Sequence, residues 1–381
     1  MRTEIGDSKI KKATINKLPI DRELLIITLI MLAFGSIMIF SASYPYASSH
    51  YGDKFYYLKR HLVFLTFGLL GMFMLSKIPE KLYKKASPYY FFICIGMLVL
   101  VLLGGFSEGV AKRWLGIPGT PLSFQPSELM KLGVILMLSW WVDRQKDKEK
   151  TYATEILLPG IILFGSCALV ILEKHLSGTI ILAMIGFCIL FISGVSIKKM
   201  LLTYGLTGIL GSVSFLLTNE YAMKRIESFL NPNADILSEK WQTTQGLYAI
   251  GSGGLWGRGL GNSVQKYSYV SEPQNDFIFT IWCEEMGYIG AVMLVLVFLL
   301  LIFRGFQIAF NTDSLFSSLV AFGITAQIGI QALLNIGVVT DLIPNTGISL
   351  PFFSYGGSSL VILLAEVGIL LSISRNARIN S

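Results

Sequence analysis

Residues 276–303 read DFIFTIWCEEMGYIGAVMLVLVFLLLIF. At 1.5 Å of rise per residue, a helix over this stretch crosses the ~30 Å of hydrocarbon in a bilayer. Working outward, apolar runs of similar length recur at 23–43, 57–76, 88–105, 125–142, 156–172, 178–195, 200–218, 315–338 and 358–374. The pattern predicts an all-α, polytopic integral membrane protein with ten transmembrane helices. Ser41-Ala42-Ser43 follows the first run, but that run exceeds the roughly 7 to 15 apolar residues of a signal peptide, so it is read as an uncleaved span. Of the 381 residues, 53% are apolar and 14% charged, and the mean hydropathy is +0.63. A soluble domain carries about 25% charged residues, so a soluble enzyme is excluded. The net charge of +7 speaks to topology, and nothing points to a nucleic-acid partner. Cys94, Cys167, Cys188 and Cys283 lie singly in apolar runs, without metal-ligand spacing, and are read as packing residues.

Ten spans put both termini on one side, and Lys and Arg choose which. Alternate loops on the N-terminal side hold nineteen of them against six in the short loops opposite, so the termini are expected in the cytoplasm. Residues 1–22 form a cytoplasmic tail and residues 219–275 one long extracytoplasmic loop, within a single membrane domain spanning 1–381. Loops of that length are usually functional or disordered, and its aromatic content predicts partial order.

Charged groups at membrane depth cost roughly 2.5 to 3.5 kcal/mol each, so each asks for a reason. In Gln125-Pro-Ser-Glu-Leu-Met-Lys131, Pro126 starts a helix and the i,i+3 spacing sets Glu128 and Lys131 on one stripe, as a self-neutralising pair or as part of a site. Arg225 lies in the loop beside aromatic and turn residues. Gly251 to Gly261 lacks nucleotide-binding spacing and is read as tight turns over the membrane surface. Glu272-Pro-Gln-Asn-Asp276 places Asp276 at the outer end of a span. There it serves either as a helix cap or as a general base whose pKa Glu272 raises. Glu284 and Glu285, deeper on that helix, need internal partners. The loop from Asp341 to Ser359 carries Pro, Gly and hydroxyls but no Lys or Arg, as re-entrant backbone lining a watery cavity would. His175 is read as interfacial.

Six ordered motifs resemble the SEDS (shape, elongation, division and sporulation) family of membrane peptidoglycan glycosyltransferases, closer to its FtsW and SpoVE branch than to RodA. They are Lys112-Arg-Trp-Leu with Phe124-Gln-Pro-Ser-Glu-Leu-x-Lys131, Lys224-Arg-Ile-x-x-Phe-Leu-Asn-Pro232, Gly257-x-Gly-Leu-Gly-Asn-Ser263, Glu272-Pro-Gln-x-Asp-Phe-Ile-Phe279, Glu284-Glu-x-Gly287 and Leu350-Pro-Phe-x-Ser-Tyr-Gly-Gly-Ser-Ser359. Two positions depart from the family pattern. Ser271 replaces a proline, and Glu173-Lys-His-Leu-Ser177 replaces Gln-Pro-Asp-Leu-Gly, which puts an acid's role at position 175 in doubt.

The resemblance implies polymerisation of lipid II, an undecaprenyl-pyrophosphate-linked disaccharide pentapeptide, on the outer face of the bacterial cytoplasmic membrane during division or sporulation. It makes Asp276 the catalytic residue. Lys131, Arg225, Lys112 and Arg113 become candidate cations for the pyrophosphate. Glu128 would orient Lys131, Glu272 would tune or hold Asp276, and Ser354 and Ser358 belong to the loop lining the cavity. A divalent cation, Mg2+ or Mn2+, is expected as a supplement, with no organic cofactor. The implied partners are a class B penicillin-binding protein transpeptidase and other division or sporulation proteins. Two rivals stay open at this point: a lipid II flippase with the buried charges lining its route, and a non-catalytic scaffold in which Asp276 only caps a helix.

Overall fold

A computed structural model describes residues 20–107, 112–116, 123–149, 151–209, 211, 215, 220–230, 240–267 and 269–377. Helix α1 (Arg22–Tyr51) starts where the Asp21 carboxylate accepts the Leu24 amide at 2.8 Å and stops at Gly52, whose φ is 67°. α2 (Tyr56–Leu75) and α3 (Glu80–Gly104) follow. A small antiparallel sheet, β1 (Phe106–Ser107), β2 (Lys112–Gly116) and β3 (Ser123–Phe124), then leads into α4 (Pro126–Gln145). The sheet is a small addition to an otherwise helical bundle. Trp114 pairs with Phe106 and Leu115 with Phe124, so these strands satisfy backbone groups by ladder bonds.

A π-helical turn, Ala153–Leu157, opens α5 (Leu158–Leu172), and α6 (Leu176–Ile192) follows. α7 (Ile197–Met200) runs into a second π turn, Leu201–Gly205. Of the seventh predicted span, 200–218, residues 210, 212–214 and 216–218 lie outside the described residues. Next come α8 (Glu220–Leu230), α9 (Trp241–Ser252), α10 (Ile278–Phe310), α11 (Leu315–Val339) and α12 (Gly357–Ser374).

Among the described residues, seven helices are long and apolar enough to cross a membrane, and α6 is a shorter apolar helix. α4 has spanning length but carries Glu128, Lys131, Asp143 and Arg144. Burial separates a core from a lipid-facing ring: 72% of the most apolar window of α12 and 67% of that of α11 are buried, against 17% for α2. The apolar faces of the outer helices are therefore left for lipid. α11 packs on α4, α6 and α10, and α12 packs on α2, so the polar side chains of α4, α11 and α12 converge inside the bundle.

The segment 241–277 is not a loop lying over the surface. α9 packs along α10, and the glycine run after it reaches the α10 backbone at Glu284, Glu285 and Gly287. Those residues lie two to three turns below the start of α10.

Candidate active site

Asp276 lies in the turn before α10, outside the helix itself. The N-cap of α10 is Phe277, and no side chain caps the helix, so the Asp276 carboxylate is not spent on capping. The turn is pinned from two sides. Asn335 on α11 donates from Nδ2 to the Asp276 carbonyl at 2.7 Å, and the Tyr355 amide donates to the Gln274 carbonyl at 2.8 Å. A methyl group placed on Gly347 would stand 3.3 Å from Asp276 Oδ2, which puts the carboxylate against the last outer loop.

That loop gathers the remaining groups. Arg225 of α8 donates from Nη1 to the Asn345 carbonyl at 2.7 Å, and Ser177 at the start of α6 donates to the Thr346 carbonyl. Asn345 Oδ1 in turn accepts the Gly347 amide at 3.2 Å. Burial raises the Asp276 pKa above the usual aspartate value and the negative charge of Glu272 adds to the rise, while its own backbone amide and Arg225 pull the other way. The result is a half-buried carboxylate, short of hydrogen-bond donors, facing an exposed glycine.

Other expected site residues fall elsewhere. Glu272 is exposed, with φ at 45°, and its Oε2 accepts from Asn275 Nδ2 at 2.7 Å. It shapes the turn and acts on Asp276 through charge, not by holding it. Lys131, 2% exposed, lies 2.8 Å from Glu128 Oε2 and donates to Gln331 Oε1 at 3.1 Å. Glu128, Lys131, Gln327, Gln331, Ser354 and Glu366 line a cavity of about 20 Å³. A single water needs about 10 to 15 Å³, so the cavity has room for one. Ser354 also accepts the Leu350 amide at 2.7 Å and so closes the loop's turn. Ser358 does not line this cavity; the next residue, Ser359, does.

Arg113 donates to the Lys174 carbonyl, on the turn joining α5 to α6. The side chain of Lys112 lies outside the described residues. On the same turn, His175 is buried rather than interfacial, with Nδ1 3.0 Å from Ser127 Oγ and 3.1 Å from Gln125 Nε2. Burial, with Arg113 and Lys131 adding to it, pushes the His175 pKa down to about 3, so the ring is neutral. Burial pushes Glu173, at the outer end of α5, up to about 8 against the opposing pull of Arg113.

The partners that Glu284 and Glu285 require come from the glycine-rich segment. Glu285 accepts from Lys266 Nζ at 2.8 Å and from Ser41 Oγ at 2.7 Å. Glu284 accepts from Ser263 Oγ at 2.5 Å and the Val264 amide at 3.0 Å, with Arg258 Nε at 3.6 Å. The Arg258 and Gly259 amides donate to the Glu284 and Glu285 carbonyls, both at 2.9 Å. Only glycine permits this approach. A Cβ on Gly257 would stand 2.1 Å from the Glu285 carbonyl oxygen, and Gly287 kinks α10 at φ 68°. The glycine run is thus an inserted wedge rather than a set of surface turns. Lys266 and Asn335 went unnoticed in the sequence because Ser41 lies 225 residues from Lys266 and Asp276 lies 59 from Asn335.

Among the described residues, no three His, Cys, Asp or Glu side chains converge to hold a metal ion.

Several known proteins are similar to this chain. The Stage V sporulation protein E of Bacillus subtilis (strain 168) is 42% identical over 96% of this chain and 100% of its own length. The probable peptidoglycan glycosyltransferase FtsW of Geobacter sp. (strain M18) is 35% identical over 94% and 97%. Among solved structures, a chain from work on the coordination of polymerization and crosslinking by a peptidoglycan synthase complex superposes with a TM-score of 0.77 at 26% identity, covering 93% of this chain and 98% of that one. The rod shape determining protein RodA of Thermus thermophilus superposes with a TM-score of 0.71 at 26% identity, covering 96% and 100%. The family model described as cell cycle protein, FtsW/RodA/SpoVE, matches residues 22–379, and with these relatives it shows that the chain belongs to the FtsW/RodA/SpoVE family.

Proposed function

We propose that this chain is a peptidoglycan glycosyltransferase that polymerises lipid II at the outer face of the bacterial cytoplasmic membrane, with Asp276 as general base. The observation that carries the reading is the state of Asp276: a half-buried carboxylate, freed from helix capping, held by its backbone and aimed at the loop 345–347. Burial favours proton uptake by such a group, as a general base requires. Asp276 takes the proton from the acceptor's 4-hydroxyl. That oxygen attacks the anomeric carbon of the donor sugar through an oxocarbenium-like transition state. The bond to the lipid pyrophosphate breaks, its electron pair leaves with the pyrophosphate, and the centre inverts.

Developing charge on the leaving group calls for a fixed cation. Arg225 is our candidate, supported by its bond to the Asn345 carbonyl and its charge effect on Asp276. Lys131 is committed to Glu128 and Gln331 in a water-sized cavity, so its role is to hold α4 to α11 beneath the site. The absence of a side-chain cap on α10 weighs against Asp276 as a mere cap in a scaffold. The partner is a class B penicillin-binding protein, which crosslinks the strands made here, in keeping with the likeness to a peptidoglycan synthase complex.

The test supplies labelled lipid II to the purified chain in vesicles with its transpeptidase partner, with and without Mg2+ or Mn2+. Glycan strands are the expected product. Translocated but unpolymerised lipid II would overturn the reading in favour of transport.

A further inference from the structure

We infer that Asn335 is a positioning residue for the catalytic turn: its side-chain amide joins the backbone bearing Asp276 to the loop that stands against the Asp276 carboxylate. The inference rests on the glycosyltransferase reading and adds to it a residue with no part in the chemistry itself.

Asn335 is fully buried near the outer end of α11, a helix with 67% of its most apolar window buried. Its Nδ2 carries two hydrogens and both are used. One goes to the Asp276 carbonyl at 2.7 Å, the other to the Ile348 carbonyl at 2.6 Å. The two acceptors belong to the two segments that must keep a fixed spacing. Asp276 is the base, and Ile348 follows Gly347, the residue against its carboxylate. Neither carbonyl is tied into a helix. Residue 276 is in a turn and residue 348 in irregular backbone, so without Asn335 each needs another donor in a buried place.

No neighbouring side chain duplicates this span. Gln331, one turn earlier on α11, donates to the Ser349 carbonyl and hydroxyl, both at 3.1 Å, and so ties the same loop to Lys131 rather than to Asp276. The Tyr355 amide holds the Gln274 carbonyl, two residues before Asp276, from the far end of the loop. Asn335 is the bond that acts on the catalytic residue itself. Misplacement of a reacting group by about 1 Å costs about 100-fold in rate, so the tether is expected to matter for turnover far more than for substrate binding.

The variants are Asn335→Leu, which keeps the branched shape and removes both donors, and Asn335→Asp, which retains a single donor when protonated between the two carbonyls. Each is assayed for lipid II polymerisation against wild type, in complex with the transpeptidase and at equal folded concentration. For Asn335→Leu the expected result is a fall in kcat of about 10- to 100-fold with KM within about threefold. Asn335→Asp should fall between it and wild type. The pH profile supplies a readout that general destabilisation would not move. Burial holds the Asp276 pKa high, so releasing the turn to water lowers it, and the acid limb of kcat/KM moves to lower pH. Wild-type kinetics with an unmoved limb in Asn335→Leu would overturn the positioning role and leave the glycosyltransferase reading standing. Lost activity that tracks only a lower folded fraction would overturn it as well. An absence of polymer from wild type would overturn the parent reading, and this role with it.

Discussion

Asp276 and Glu285 are carboxylates nine residues apart, one at the mouth of α10 and one inside it, and they have opposite surroundings. Glu285 is completely buried and meets Lys266, itself completely buried, together with two protons' worth of hydroxyl and amide from Ser41 and Ser263. Its charge is answered at every side. Asp276 is only partly covered, has no side-chain donor bonded to its carboxylate, and is anchored through its main chain. A saturated carboxylate fixes geometry, because any change of protonation breaks a full set of bonds. A carboxylate fixed by its backbone keeps its oxygens for a substrate. Under the proposed function, the difference separates the structural acids of this fold from the reactive one, although both belong to ordered acidic motifs in the sequence.

The comparison breaks most visibly at its reactive member. Asp276→Asn is expected to lower polymerisation about 100- to 10,000-fold, the contribution of a general base, while leaving the fold intact. Because burial raises the folded-state pKa of Asp276, ionising it costs stability as pH rises through that value. The amide variant is therefore at least as stable as wild type at neutral pH, which thermal unfolding in detergent would check.

At the saturated member the signs reverse. Lys266→Met strands Glu285 in the interior and should cost about 3 to 5 kcal/mol of stability, with activity lost through unfolding. Adding Glu285→Gln should restore part of it, and unfolding midpoints of the single and double variants measure the recovery. Gly257→Ala tests the wedge rather than the charges. A methyl at φ 78° pushed to 2.1 Å from the Glu285 carbonyl oxygen should cost about 1 to 3 kcal/mol, read as a lower melting temperature. The smallest effect belongs to Glu272→Gln. Losing that like charge lowers the Asp276 pKa, so the acid limb of kcat/KM shifts to lower pH while plateau turnover stays near wild type. A pH–rate profile decides it.

The bundle was largely legible because the apolar runs are long: α1 to α6 and α10 to α12 fall where residues 23–195 and 276–374 predicted spans. The outer segment 106–124 was not, since strands of two to five residues carry no periodicity to read. The wedge at Gly257 was misread because glycine spacing announces close approach without naming what is approached. Within the site, Asp276 and the Glu128–Lys131 pair stood out as charges at or near membrane depth, and Arg225 through the motif that carries it. Asn335, Asn345 and Lys266 did not. A neutral amide in an apolar helix or a loop is cheap enough to pass unremarked, and a lysine in a loop looks solvated until the fold buries it.

The most direct measurement compares lipid II polymerisation by wild type and Asp276→Asn, each purified with its transpeptidase partner and matched for folding and complex formation. The account predicts long glycan strands from wild type and at least about 100-fold less polymer from the near-isosteric variant. Equal polymer from both would contradict it and leave Asp276 without a part in the reaction.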